Sequence, residues 1–276
     1  MCDFFGPTAS AGLSGVDEYP VGWHPHRGFD ICTYLTEGVG RHADSLGNRE
    51  TFSAPGMQWC SVGSGIEHAE AGGTPAGANT AGFQIWVNVP SARKMDDPRY
   101  GTVPSDALGA VQLPDGVVAR VLAGPLGEHT GPFKTVQDVS MVHYEMPAGT
   151  AVTHEIGKGL DNAMIYVFRG SVQVSGPGGQ STAVAENQVA RFDAGDASAR
   201  AIALTAGPAG AGVMLFAGKM LRQPIAWRGP IVMTTNEEVA QAYADLRSGN
   251  FPPVRAPFDY RRLSAFPKDH PARQGK

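Results

Sequence analysis

The sequence predicts an all-β chain: two barrels of the β-sandwich or jelly-roll kind in tandem, followed by one short C-terminal helix. Three observations lead there. Short β-branched and aromatic runs recur between glycine and proline turns. One of these runs returns 132 residues later (166 − 34). A single capped helical pattern stands near the end of the chain.

Composition agrees with this. The 276 residues suit two domains of about 100–150 residues each. Gly 36 and Pro 21 are high for the length and favour turns over long helices. A formal net charge of −4 leaves no electrostatic footprint for nucleic acid or an anionic membrane. The basic residues Arg261, Arg262, Lys268, Arg273 and Lys276 read as a solvated tail. Cys2, Cys32 and Cys60 are too few and too scattered for a disulfide framework, and Cys32 and Cys60 lie in apolar runs as small buried hydrophobes. No secretory segment follows Met1, and no apolar run approaches ~18 residues. A soluble, intracellular protein is expected: cytoplasmic, or nuclear in a eukaryote.

Taken in order, residues 1–21 lack periodicity and read as loop or a short edge. Ile31-Cys32-Thr33-Tyr34-Leu35 is a strand ended by Glu37-Gly38, and Arg41 to Asp44 is expected to pair back as the next strand. Leu46-Gly47-Asn48-Arg49 and Pro55-Gly56 are turns, Met57 to Val62 is a strand, and Phe83 to Val89 alternates most clearly. Residues 90–135, punctuated by Pro90, Pro98, Pro104 and Pro114, suggest a short helix and a connector. The strand pattern returns from Val139 to Phe216, where Ile165-Tyr166-Val167-Phe168-Arg169-Gly170 repeats Thr33-Tyr34-Leu35-Thr36-Glu37-Gly38. Thr235-Asn236-Glu237-Glu238 is a capping box, Val239, Ala242, Tyr243 and Leu246 form a helical apolar face, and Gly249 stands where a C′ glycine ends a helix. This helix is expected to pack on a barrel wall. Domains follow: 1–130, metal-binding barrel and connector; 131–224, second barrel without metal; 225–276, helix and tail.

The chemistry concentrates in His24, His26, His68 and Glu70. Each pair is spaced i, i+2, so each aims both side chains to one face of a strand. The repeat offset carries the four positions to Ile156, Lys158, Arg200 and Ile202, so one metal site is expected. His42, His129, His143, His154 and His270 read as ordinary hydrogen-bonded surface or core residues. With no thiolate in the set, a structural zinc site is disfavoured. Three imidazoles and a carboxylate suit Fe(II)/Fe(III) and admit Ni, Co, Cu, Mn or Zn. Asp30 is either an acceptor for an imidazole N–H or a strand-end carboxylate facing solvent.

His24-Pro25-His26-Arg27-Gly28-Phe29-Asp30, Asp44-Ser45-Leu46-Gly47-Asn48-Arg49, Pro55-Gly56-Met57-Gln58-Trp59, Gly65-Ile66-Glu67-His68-Ala69-Glu70, Gln84-Ile85-Trp86-Val87-Asn88-Val89-Pro90, Lys94-Met95 and Gly229-Pro230-Ile231-Val232-Met233-Thr234-Thr235 together resemble the pirins, two-barrel members of the cupin superfamily. The resemblance implies an iron site at His24, His26, His68 and Glu70 and a second cupin barrel without metal. Some members act as quercetin 2,3-dioxygenases; others are described as iron-dependent transcriptional coregulators or partners of other proteins. This chain departs from the family pattern in three places. Asp30 stands where Glu is usual, the segment Asp3-Phe4-Phe5-Gly6-Pro7 comes unusually early, and no Asp follows Pro55-Gly56.

Two functions from different classes follow. One is a dioxygenase on a flavonol-like small molecule with O2, in which Glu70 is both ligand and general base. The other is a redox-dependent coregulator whose partner is a transcription factor or a metabolic enzyme. A monomer is expected in either case, with no direct contact to nucleic acid or membrane.

Overall fold

The computed structural model describes residues 1–12, 21–175, 180–192 and 200–262. His270, Lys268, Arg273 and Lys276 lie outside the described residues. Strands dominate, and the chain divides into two compact units, Met1–Ala107 with Arg222–Lys276, and Leu108–Leu221.

In the first unit the strands are β1 Cys2–Ala9, β2 Val21–His26, β3 Phe29–Glu37, β4 Val39–Asp44, β5 Arg49–Ser53, β6 Gly56–Ser61, β7 Ile66–Gly72, β8 Asn79–Asn88 and β9 Arg99–Val103. They form two antiparallel sheets, ordered β1-β8-β3-β6-β9 and β2-β7-β4-β5. β4 does not pair back on β3. It joins the other sheet, between β7 and β5, because Gly38 (φ +89°) turns the chain from one sheet to the other. Cys2–Ala9 forms an edge strand on β8, with a register shift between Phe5 and Thr8. The proline-rich stretch adds a 3₁₀ turn at Ser91–Arg93 and the further edge strand β9, which the connector reading did not foresee.

Alternation sets the interior. Phe29 and Ile31 of β3 meet Cys60, Val62 and Ile66 in one apolar cluster. On the same inward side, Thr33 pairs in register with Gln58 of β6 and Gln84 of β8. The apolar cluster thus gives way to a polar one along a single sheet face.

The second unit contains β10 Ala110–Gln112, β11 Val118–Ala123, β12 Pro125–Leu126, β13 His129–Thr130, β14 Val139–Met146, β15 Ala151–Ile156, β16 Asn162–Ser175, β17 Ser181–Ala185, β18 Gln188–Phe192 and β19 Arg200–Gly218. The repeat seen in the sequence is a repeat of register. His24 faces His68 across β2 and β7, and Ile156 faces Arg200 across β15 and β19. Likewise Tyr34 faces Met57, and Tyr166 faces Val189. Ile156 and Ile202, which stand at the positions of His24 and Glu70, belong to the aliphatic core of this unit.

After the second unit come β20 Ala226–Arg228, β21 Ile231–Met233 and helix α1 Asn236–Ser248. The capping box forms as expected: Glu238 N donates to Thr235 Oγ1 (3.2 Å) and Thr235 N donates to Glu238 Oε2 (2.9 Å). Gly249 ends the helix at φ +75°. Val239 and Ala242 pack on Ala226, Ile231 and Met233, so the helix rests on the β20–β21 hairpin. Among the described residues no helix is long and apolar enough to cross a membrane.

In the second unit His154 is buried, its Nδ1 hydrogen-bonded to Tyr144 Oη at 2.7 Å, and burial pushes its pKa down to about 4. A histidine has a pKa near 6.5 in an unfolded chain. Between about pH 6.5 and 4 the unfolded chain therefore takes up a proton that the folded chain refuses, and stability falls as pH falls through that window. Thermal unfolding of the metal-free protein is expected to show Tm dropping from pH 7 to pH 4.5. His154→Gln is expected to lessen that drop, and an unchanged slope would contradict the assignment.

Candidate metal centre

The site lies where the β2-β7-β4-β5 sheet turns its inward face toward β3, β6 and β8. Residues directly opposite in antiparallel strands share a face. Register therefore lines His24, His68 and Asp44 across β2, β7 and β4, and sets His42 beside Glu70. His26, two residues along β2, shares the face of His24.

The three imidazoles converge. Ring centroids are 4.3 Å apart for His24–His68, 4.8 Å for His26–His68 and 4.8 Å for His24–His26. One ligand atom from each lies within 4.8 Å of the others. His24 Nδ1 donates to Gly22 O at 2.8 Å, and His26 Nδ1 donates to Pro230 O at 3.3 Å. A carbonyl only accepts, so the proton of each ring sits on Nδ1 and the Nε2 lone pair is left for a cation. Burial and the neighbouring His24 push His26 down to about 3. Burial first, then His26, His42 and His24, hold His68 well below the ordinary histidine range. His26 and His68 are thus held neutral at pH 7.

His68 makes the strongest case for an ion. It is fully buried, and neither ring nitrogen has a hydrogen-bond partner among the described residues. Each such orphan costs about 1–3 kcal/mol unless something binds it. The residues present therefore fit a cation.

Glu70 is placed differently. Its Oε1 accepts from Thr33 Oγ1 (3.0 Å) and Gln58 Nε2 (3.1 Å), and its Oε2 lies 3.9 Å from His68 Nε2. It groups with His68 and His42 rather than with His24 and His26. His42 is hydrogen-bonded, as expected of a core histidine, with Nε2 donating to Asp44 Oδ2 at 3.0 Å. Its place beside Glu70 was not foreseen, although His42-x-Asp44 carries the same i, i+2 spacing as the two chosen pairs. Asp30 is fully buried and faces away from the imidazoles, on the side of β3 opposite Phe29 and Ile31; Arg27 and Gly28 break the strand before it. The acceptor for His26 is Pro230 O instead.

Comparisons with known proteins agree with this architecture. Residues 1–87 match the family described as Pirin, and residues 141–252 match Pirin C-terminal cupin domain. A Pseudomonas aeruginosa protein provisionally named a quercetin 2,3-dioxygenase is 35% identical over 243 residues, covering 84% of this chain and 81% of its own. Human pirin is 32% identical over 227 residues, 82% of this chain and 75% of its own. The chain belongs to the pirin family. Its two barrels are cupins, and the crystal structure of a quercetin 2,3-dioxygenase from Acinetobacter baumannii superposes with a TM-score of 0.80 at 25% identity, over 91% of this chain and 85% of that one.

In this pirin the C-terminal hairpin braces the metal-facing strand. β21 runs alongside Arg27, with Arg27 N donating to Pro230 O (3.4 Å) and Val232 N to Arg27 O (3.0 Å). The buried Lys94 Nζ donates to Gly28 O (2.7 Å), Asn88 Oδ1 (2.6 Å) and Val232 O (3.0 Å). Gly28 holds φ +91°, and a Cβ there would meet Val232 O at 2.1 Å. Arg27 ties the same turn to Ser64 O (2.7 Å) and to Asp245 Oδ2 of α1 (2.8 Å). Arg261 is solvated as expected, its side chain 59% exposed, and it also pairs with Glu67 of β7 at 2.6 Å, beside the hydrogen bond from Tyr260 to the same carboxylate.

Lys94→Met is therefore expected to weaken Ni(II) binding about 10-fold, as loss of an orienting partner does. Isothermal titration checks this, and unchanged affinity would contradict the bracing role.

Proposed function

We propose that this pirin is a metal-dependent dioxygenase acting on flavonol-like small molecules, with iron as its working metal. The carrying observation is the convergence of three imidazoles, one with both nitrogens buried and orphaned, beside a carboxylate held by only one of its oxygens. The names of the Pseudomonas and Acinetobacter proteins support the substrate class.

His24, His26 and His68 would hold the ion, with Glu70 as the fourth donor. When bound, the ion supplies Lewis acidity toward an enolic oxygen and the one-electron chemistry that O2 requires. The protein's own part is protonic and positional. Thr33 and Gln58 fix Glu70 Oε1, which leaves Oε2 on the side of His68, 3.9 Å from its Nε2. The Glu70 side chain is 19% exposed, so a substrate hydroxyl can reach it. Glu70 would take the proton of the flavonol 3-hydroxyl, leaving the enolate that O2 attacks; both oxygen atoms of O2 end in the ring-opened ester, carbon 3 leaves with its own oxygen as carbon monoxide, and Glu70 returns the proton to the product. Holding enolate and oxidant side by side removes the entropy of bringing them together.

Anaerobic addition of quercetin to the Fe(II)-loaded protein is expected to shift the flavonol absorption to the red, with O2 consumed once air is admitted. Glu70→Gln is expected to lower turnover by about 10²–10⁴, the usual contribution of a positioned base. Absence of both the shift and O2 uptake in the wild type would overturn the proposal.

A further inference from the structure

His68 belongs to two groups of donors. One is His24, His26 and His68; the other is His42, His68 and Glu70; within each, the donor atoms lie within 4.8 Å of one another. We infer that this cluster offers a second cation position, formed by His42, His68 and Glu70. The inference rests on the metal-binding reading of the same cluster.

The state of His42 carries the argument. Its Nε2 faces the Asp44 carboxylate at 3.0 Å, so Nε2 bears the proton. Asp44 is held as an acceptor by three further donors: the amides of Leu46 (2.9 Å) and Asn48 (3.0 Å) on Oδ1, and Asn48 Nδ2 (2.8 Å) on Oδ2. The lone pair of His42 therefore sits on Nδ1, which is buried with no partner among the described residues. A carboxylate behind one ring nitrogen and a bare lone pair on the other is the arrangement of a metal-binding histidine. Tyr100 stacks on the ring at 4.5 Å and 14°, which fixes its plane.

The donor chemistry separates the two positions. The first position draws on three imidazoles with Glu70 as fourth donor, whereas the second replaces His24 and His26 by His42 and leaves two imidazoles and a carboxylate, the set that suits Fe(II) with open positions. The third cluster, His42 with Asp44 and Cys60, offers no such site. There the Asp44 oxygens are already taken by the donors named above, and burial keeps the Cys60 thiol protonated. A neutral imidazole has one lone pair, so His68 serves one position at a time. One ion per chain is then shared between two positions.

The test uses Co(II) and the full chain. Wild type binds one Co(II). His24→Ala, a change at a half-exposed residue, is expected still to bind one Co(II) within about 10-fold of the wild-type affinity. Anomalous diffraction from its crystals is expected to place the ion within bonding distance of His42, His68 and Glu70. Adding His42→Ala is expected to cost at least 100-fold more. The inference is overturned if His24→Ala alone costs 100-fold, if the ion in His24→Ala makes no bond to His42, or if His42→Ala adds no loss. Should the double variant fail to fold, the anomalous peak in His24→Ala decides by itself. A wild-type chain that binds no Co(II) would instead defeat the metal reading, and this inference with it.

Discussion

Everything at the site depends on one buried imidazole. His68 sits mid-strand on β7, paired in register with His24 on one side and Asp44 on the other, and fully removed from water. A histidine so placed normally finds a hydrogen bond for each nitrogen. This one finds instead the rings of other histidines, His24, His26 and His42, which offer ligand atoms of their own. The pocket is therefore poor as a pure packing arrangement and good as a coordination sphere. The opposing sheet supplies Thr33 and Gln58, which donate to Oε1 of Glu70 and leave Oε2 3.9 Å from His68 Nε2.

Strand geometry explains how so few residues build this. Period-two alternation puts His24 with His26, His42 with Asp44, and His68 with Glu70 on the same inward face of one sheet. The second barrel keeps the register but fills the equivalent places with Ile156 and Ile202, so one architecture serves coordination in one unit and hydrocarbon packing in the other. Precision in the first comes from the far end of the chain. Pro230 O orients His26 across 204 residues of sequence, and Lys94 fastens the turn that follows to β21. Lys94 is buried for this task, and burial lowers its pKa to about 8 despite the acceptors around it.

Much of this was legible beforehand, because it is written in local pattern. The strand runs, the repeat and its 132-residue offset (166 − 34), the capped helix and the two dyads all follow from spacing within a few residues. What was illegible depends on pairing between distant strands. Arg41 to Asp44 reads as a strand, but nothing local says that it joins β7 rather than β3, and only that pairing puts His42 beside Glu70. The same holds for Asp30, whose face is set by the break at Arg27–Gly28 rather than by its distance from His26. It holds too for Arg261, which looks like a tail charge until Glu67 is seen beneath it.

The unpartnered lone pair of buried His68 is a cost that a bound cation removes. The most direct measurement is thermal unfolding of wild type and His68→Leu, each without metal and with Ni(II). Replacing an unpaired buried polar group by an apolar one of similar size is neutral or stabilising. Metal-free His68→Leu is expected to melt at or above metal-free wild type, Ni(II) to raise the wild-type Tm, and the variant not to respond. A destabilised variant that still gains Tm on adding Ni(II) would contradict this.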